Sequence, residues 1–225
     1  MRGAKAAIVA LVIFLIPGLI ILLLRTGKNH YKRLPKYGAY EVNSQGDTTW
    51  HQIPYFSLID QDNRPFVSDS LRGWVHVGCY FFTRCPGICP RISEAMRRLQ
   101  EHFAGSSIRI RFVSYTVDPS HDTPSVLKEY ASRYQANLSR WFFVTGPEST
   151  LYRLATKGYL IPVDKSADTT KGEFGYVHSD MLVLVDPELR VRGFYSALDS
   201  LQVRKLIDDI NLLLLEYPSL SARAS

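Results

Sequence analysis

Acidic residues are absent from the first 36 positions of this chain, which carry seven of its 27 Lys and Arg residues. The rest of the chain therefore holds 20 basic residues against 21 acidic ones, and the net charge of +6 comes from the N-terminal part. A near-neutral domain lacks the basic surface that binds a phosphate backbone. This distribution argues against a nucleic-acid-binding protein.

Charge of either sign is absent from Ala6 to Leu24, a run of 19 mostly apolar residues. Such a helix is long enough to cross a hydrocarbon core of about 30 Å. The run has no small-x-small cleavage site before the basic residues that follow, and no cysteine near its end suggests a lipoprotein. We therefore expect a short N-terminal segment at 1–5 and an uncleaved transmembrane anchor at 6–24.

A polar, turn-rich stretch without helical or strand periodicity follows the anchor. The sequence predicts a tether at 25–49, a globular domain at 50–217 and a C-terminal tail at 218–225. Five Lys or Arg residues follow the anchor closely and two precede it. The positive-inside rule alone would therefore place the domain in the cytoplasm.

The domain is predicted to alternate strands with helices. A hairpin is expected at 54–60 and 65–67, and the nearly continuous apolar run 74–82 is typical of a central strand buried on both faces. Further strands are predicted at 108–117, 141–144, 181–186 and 191–195, helices at 90–103, 123–134, 147–156 and about 198–215, and a polar insertion at 164–175. This order favours an α/β fold, a mixed sheet flanked by helices.

Cysteine is scarce, with three residues in the chain, yet Cys85 and Cys89 lie only four positions apart where the central strand gives way to a helix. That spacing brings both sulfurs to one side of a helical turn, where they can form a disulfide or bind one soft metal ion. The helix start also favours the thiolate form. A thiol pair after the first core strand makes the predicted fold thioredoxin-like. Cys79, inside the strand, is expected to be a small buried residue.

Two thiolates are an incomplete site for most metals, so a third ligand is needed. His121 lies in a loop that could approach the cysteines, and His178 lies in a loop that leads into the strand at 181–186. Spacing alone does not choose between them, because histidines in loops are common. The residues by themselves leave a metal site and a redox-active disulfide both open.

Three segments together resemble the Sco/SenC/PrrC family of membrane-tethered, thioredoxin-like copper chaperones for cytochrome c oxidase assembly. They are FTRCPGICP at 82–90, VDPSHDTP at 117–124, and VHS at 177–179 shortly before LVLVDP at 182–187. The similarity extends from about Pro54 to the final helix. This chain has Gly87 where the family commonly has Asp, and His121 where it has Arg. The missing carboxylate makes the site less anionic, so copper affinity and redox potential are not carried over.

The resemblance implies that Cys85, Cys89 and His178 bind one copper ion. It implies a metallochaperone, not an enzyme in that role, which delivers copper to the dinuclear copper centre of a cytochrome c oxidase subunit. Its other partner would be an upstream copper donor or thiol reductant. It also implies a single-pass membrane protein whose domain faces the periplasm or an equivalent extracytoplasmic space, against the charge count at the anchor.

The main alternative is a membrane-tethered thiol:disulfide oxidoreductase, with Cys85 and Cys89 as its redox-active pair, acting on cysteines of the oxidase or of other exported proteins. His178 separates the two functions, because copper binding needs its imidazole and disulfide exchange does not. A thiol peroxidase and a purely structural receptor domain are weaker alternatives.

Overall fold

The computed structural model describes residues 13, 15–19, 33–161 and 179–220. The chain divides into two compact units, Met1–Lys32 and Arg33–Ser225. In the first unit, the described residues are helical. Most of the predicted anchor at 6–24 lies outside the described residues, and none of the helices described here combines the length and apolar character of a bilayer span.

A mixed β-sheet forms the centre of the second unit. The strands described are β1 Tyr40–Val42, β2 Thr48–Trp50, β3 Ser57–Asp60, β4 Pro65–Val67, β5 Val75–Phe81, β6 Ile110–Thr116, β7 Trp141–Thr145, β8 Met181–Val185 and β9 Val191–Ser196. The last seven of these form one sheet in the order β4-β3-β7-β6-β5-β8-β9. Strands β5, β6 and β7 are parallel, whereas β8 pairs antiparallel with β5. The central position of β5 confirms the interpretation of its apolar run.

Helices follow the predicted positions closely. They are α1 Cys89–His102, α2 Pro124–Arg133, α3 Glu148–Arg153, which continues into a π-helical turn at Leu154–Gly158, and α4 Ser200–Glu216. Short 3₁₀ turns occupy Ser68–Leu71 and Pro218–Leu220. In α1 the buried residues Ile92, Met96 and Leu99 recur every three or four positions, which gives the helix one apolar face.

Both faces of β5 are covered, and all seven of its residues are buried. Val77 and Cys79 belong to the core that includes α1, α2 and α4, whereas Tyr80 belongs to the second core, on the other face. A Cβ atom at Gly78 would lie 2.7 Å from the Tyr159 ring, so glycine is required there for close packing. Burial raises the pKa of Cys79 to about 12, although its Sγ lies 3.3 Å from Ser114 Oγ. Cys79 is therefore the small buried residue that the sequence predicted.

Residues 33–49 differ from the tether that the sequence predicted. β1 and β2 pair antiparallel, with Tyr40 opposite Trp50. The Asn43 side-chain oxygen stabilises the connecting turn by accepting from the backbone N–H groups of Gln45 and Asp47, at 3.0 and 2.9 Å. Strands of three residues are too short to produce a recognisable alternation in sequence.

Hydrogen bonds from Arg192 of β9 hold the start of this segment against the rest of the domain. Its side chain is only 1% exposed, and it donates to the carbonyl oxygens of Leu34 and Pro35 at 2.8 and 3.0 Å. The same guanidinium forms ion pairs with Asp186 at 3.1 Å and with Glu216 at 2.7 Å. A buried cation with this many partners is well satisfied. The segment beginning at Leu34 is therefore part of the packed unit.

Candidate metal centre

The loop between β5 and α1 carries the thiol pair. Cys85 lies in the loop, partly exposed, and its backbone N–H donates to the Phe82 carbonyl at 3.3 Å. Cys89 is the first residue of α1 and is buried, one position earlier than the predicted helix start. All three cysteines of the chain are free thiols in this structure. A metal ion requires its cysteine ligands in this reduced form.

The pKa values of the two thiols of the pair are shifted in opposite directions. Burial raises the pKa of Cys85, but the backbone N–H groups of Cys89, Gly87 and Ile88, with the Cys89 thiol, stabilise its thiolate and bring the net pKa below the usual value. Burial raises the pKa of Cys89 to about 12, and the neighbouring Cys85 adds to that effect. Cys85 is therefore the more acidic thiol of the pair, whereas burial favours the protonated form of Cys89.

A buried carboxylate fixes the start of the thiol loop. Asp122, fully buried, accepts from the Thr83 backbone N–H at 3.1 Å and from the Thr83 hydroxyl at 2.5 Å. It also accepts from the Thr116 hydroxyl at 2.5 Å, and the same hydroxyl oxygen accepts from the Asp118 N–H at 3.0 Å. Asp122 therefore joins the end of β6 to the residue two positions before Cys85.

A second carboxylate of the same loop holds the next residue. Asp118, 4% exposed, accepts from Arg84 Nε at 2.8 Å and pairs with Arg84 Nη2 at 2.7 Å. Ser120 donates to the other carboxylate oxygen at 3.0 Å. Charge-assisted bonds of this kind are stronger than neutral ones. Residues 118–122 thus hold both Thr83 and Arg84, which directly precede Cys85.

From the sequence, the loop at 118–122 was expected to be able to approach the cysteines through His121, but Asp118 and Asp122 were not identified as positioning residues. A signal was present, because this loop directly follows the strand predicted at 108–117, the next one along the chain after β5. β5 and β6 are parallel, with Phe81 opposite Thr116, so their carboxyl ends meet at one edge of the sheet. Polar residues after adjacent parallel strands are therefore expected to meet.

The start of β8 lies at the same edge of the sheet, where β5 ends. β8 runs antiparallel to β5, with Val183 opposite Gly78, so β8 begins where β5 ends. Just before it, the Asp180 backbone oxygen accepts from the Ala197 N–H at 2.8 Å, and its carboxylate accepts from the Ser196 hydroxyl. His178 lies outside the described residues. Within the described ranges, no three His, Cys, Asp or Glu side chains are grouped as a metal site.

The family of the chain follows from its match to a family model. The model described as SCO1/SenC matches residues 45–214, which include the thiol loop, the 118–122 loop and β8. The chain belongs to the SCO1/SenC family. The mixed sheet with helices on both faces confirms the thioredoxin-like α/β fold expected for this family.

Individual relatives agree in sequence and in fold. A Stutzerimonas stutzeri protein, named as a candidate copper-binding protein, is 37% identical over 154 residues, 67% of this chain and 73% of its own. The structure of BsSco is also similar, with a TM-score of 0.62 and 28% identity over 72% of this chain and 93% of the BsSco chain. BsSco is a member of the Sco family of cytochrome c oxidase assembly proteins, and a disulfide switch was identified in it. Copper-bound ScoI of Arabidopsis thaliana shares the fold, with a TM-score of 0.58 and 24% identity over 73% of this chain and 98% of its own.

The different pKa values of the three thiols predict selective alkylation of the folded, reduced chain. At neutral pH, iodoacetamide should modify Cys85 and leave Cys79 and Cys89 unmodified, because only Cys85 has a lowered pKa. The rate should rise with pH through a midpoint below that of an ordinary thiol, as measured by mass spectrometry of the digested protein. A Cys85→Ser variant should lose the labelling. Labelling of Cys89 before Cys85 would contradict the assignment.

The Asp122 contacts predict that Asp122→Ala loosens the thiol loop. The change leaves three donors on Thr83 and Thr116 without their acceptor, and should lower the free energy of unfolding by about 1–3 kcal/mol. The pKa of Cys85 should rise towards its usual value, so alkylation at neutral pH should slow. Asp122→Asn should lose less, because its amide oxygen still accepts and the hydroxyl groups can turn.

Urea unfolding and the alkylation rate measure the two effects, with the exposed Asp69→Asn as the control. If Asp122→Ala matches the wild type in both measurements, Asp122 does not position the thiols.

Proposed function

We propose that this protein binds one copper ion through Cys85, Cys89 and His178, and delivers it to the dinuclear copper centre of cytochrome c oxidase during assembly. The observation that carries the proposal is the thiol pair at the start of α1, with the residues before it held by the 118–122 loop. Soft thiolate ligands favour copper(I). The copper named for the Stutzerimonas stutzeri relative and bound in the Arabidopsis structure supports this cargo.

His178 is the proposed third ligand. It precedes Ser179 directly in the chain, and consecutive Cα atoms are about 3.8 Å apart. Ser179 lies before β8, at the edge of the sheet where β5 ends and the thiol loop begins. An imidazole with two thiolates makes a three-ligand site that is open on one side, and such a site can release its ion by ligand exchange.

The oxidation state of the thiols would gate copper loading. A copper ion needs deprotonated, reduced sulfur ligands, so a disulfide between Cys85 and Cys89 would prevent binding. Reduction by an upstream thiol reductant would reopen the site. The disulfide switch described for BsSco supports this gate.

The lowered pKa of Cys85 and the raised pKa of Cys89 favour a second candidate function, a thiol:disulfide oxidoreductase. The Cys85 thiolate would attack one sulfur of a substrate disulfide, break its S–S bond and form a mixed disulfide. Cys89, on losing its proton, would displace the remaining substrate sulfur and form the Cys85–Cys89 disulfide. The substrate would leave as a dithiol with two electrons from the pair, which an external dithiol would restore.

Copper(I) titration of the reduced full chain tests the chaperone. The wild type should bind one equivalent, and His178→Ala should bind at least about tenfold more weakly in competition with a copper(I) chelator, because one of three ligands is lost. His121→Ala, which removes an exposed histidine of the 118–122 loop, is the matched control and should bind like the wild type.

Equal affinity of wild type and His178→Ala would remove His178 from the site. The same variant separates the two functions in cells. If His178→Ala loses copper but still exchanges disulfides and matures the oxidase, the oxidoreductase is the function.

We also propose that residues 6–24 anchor the protein in a membrane with its domain in the periplasm or an equivalent compartment. The uncharged run supports the anchor, and the location of the proposed oxidase acceptor supports the orientation. A C-terminal alkaline phosphatase fusion, active only outside the cytoplasm, should be active. A cytoplasm-dependent reporter that is active at the same position would overturn the orientation.

A further inference from the structure

A groove runs beside the thiol site between α1 and the start of α4. Its volume is about 660 Å³, within the range of ligand-binding pockets. Along α1 it extends from Pro90, the residue after Cys89, to His102. At a helical rise of 1.5 Å per residue, this stripe is about 18 Å long. An occupant of this groove would therefore have one end next to the thiols.

The floor of the α1–α4 groove is apolar. Ala95 contributes from α1, and Leu198, Val203 and Ile207 contribute from the opposite side. Val203 and Ile207 are only partly buried, although they pack against the main core. Aliphatic side chains of an occupant would remove this apolar surface from water.

The rim of the groove is basic, in contrast to the near-neutral domain. Arg91 and Arg204 line it from opposite sides, and both are exposed. Neither forms an ion pair with any residue in the described part of the chain. Among the described residues that line the groove, Glu94 is the single acidic one, and it already pairs with Arg97 at 2.8 Å and with Arg98 at 3.0 Å. The rim therefore offers two cations to an incoming negative charge.

We propose that the α1–α4 groove binds an acidic, aliphatic segment of the polypeptide that receives copper from Cys85 and Cys89. This inference rests on the proposed function and adds the chemistry of its partner. The apolar floor matches aliphatic side chains, and Arg91 and Arg204 match carboxylates on both sides of them. Complementary charge of this kind steers association and fixes the register of the bound segment.

A polypeptide fits the groove better than a membrane surface does. Ligand exchange requires the acceptor's own ligands to approach the partly exposed Cys85, so an acceptor segment must lie within reach of the thiol loop. The groove begins at the residue after Cys89, and its apolar surface forms a recessed floor between two helices. A concave floor receives an inserted segment, whereas a planar lipid surface would contact mainly the rim.

Binding of a labelled peptide to the reduced full chain in detergent micelles tests the proposal. The probe is a short fluorescein-labelled peptide of alternating Glu and Leu, followed by anisotropy, with a Lys and Leu peptide as the control probe. The Glu and Leu peptide should bind saturably to the wild type. The double variant Arg91→Glu with Arg204→Glu should bind it at least about tenfold more weakly at low salt, because two attractive contacts become repulsive.

Two further variants separate the contribution of the basic rim from that of the apolar floor. Arg153→Glu with Lys157→Glu makes the same change of charge at exposed residues that do not line the groove, and should bind like the wild type. Leu198→Ala should weaken binding by a factor that salt does not change, whereas the loss in the double rim variant should shrink at high salt.

Copper(I) titration of the same proteins separates this inference from the proposed function. Arg91 and Arg204 are not ligands, so the double rim variant should keep wild-type copper affinity. If copper binding is intact and the peptide binds wild type and double rim variant equally, the groove inference is wrong and the chaperone stands. If phosphatidylglycerol vesicles bind through Arg91 and Arg204 and the peptide does not, the surface is a lipid site and the inference is also wrong. A wild type that binds no copper would overturn the proposed function itself.

Discussion

The buried Asp122 carboxylate is the contact on which the geometry of the thiol site depends. It accepts from the Thr83 backbone and hydroxyl and from Thr116, and so joins the loop after β6 to the loop after β5. A carboxylate without access to water has to be satisfied by protein donors, so these contacts are costly to break. With Asp118 and Arg84, they hold the residues directly before Cys85 in one arrangement.

The position of the two cysteines explains how one pair of sulfur atoms could serve two functions. Cys85 lies among backbone N–H groups at the start of α1, which favour its thiolate, whereas Cys89 is buried and keeps its proton. This difference suits disulfide exchange, in which one thiol attacks and the other resolves. A soft metal ion would need both sulfurs as thiolates, so its positive charge would have to offset the cost of the buried one. In the proposed function, the same site would therefore couple metal loading to the redox state of the pair.

Much of the fold was predictable because its signals are local. The apolar run of β5, the three- and four-residue spacing in α1 and the Thr-Pro start of α2 each indicate one element, and all three are confirmed. The short strands β1 and β2 were missed, because three residues show no clear alternation. For the site, sequence indicated the thiol pair and its place at a helix start, whereas His178 as third ligand stays a proposal.

The sequence by itself determined the order of the elements and the presence of two thiols between a central strand and a helix, because periodicity and motif spacing are properties of neighbouring residues. Only the tertiary structure decided which distant groups meet. Asp122 reaches Thr83 because β5 and β6 run parallel and end at the same edge. Arg192 binds the Leu34 and Pro35 carbonyls from far along the chain, and the α1–α4 groove joins surfaces of two separate helices. Such contacts follow from how the sheet aligns its strands and packs its helices, and no local pattern of residues encodes that alignment.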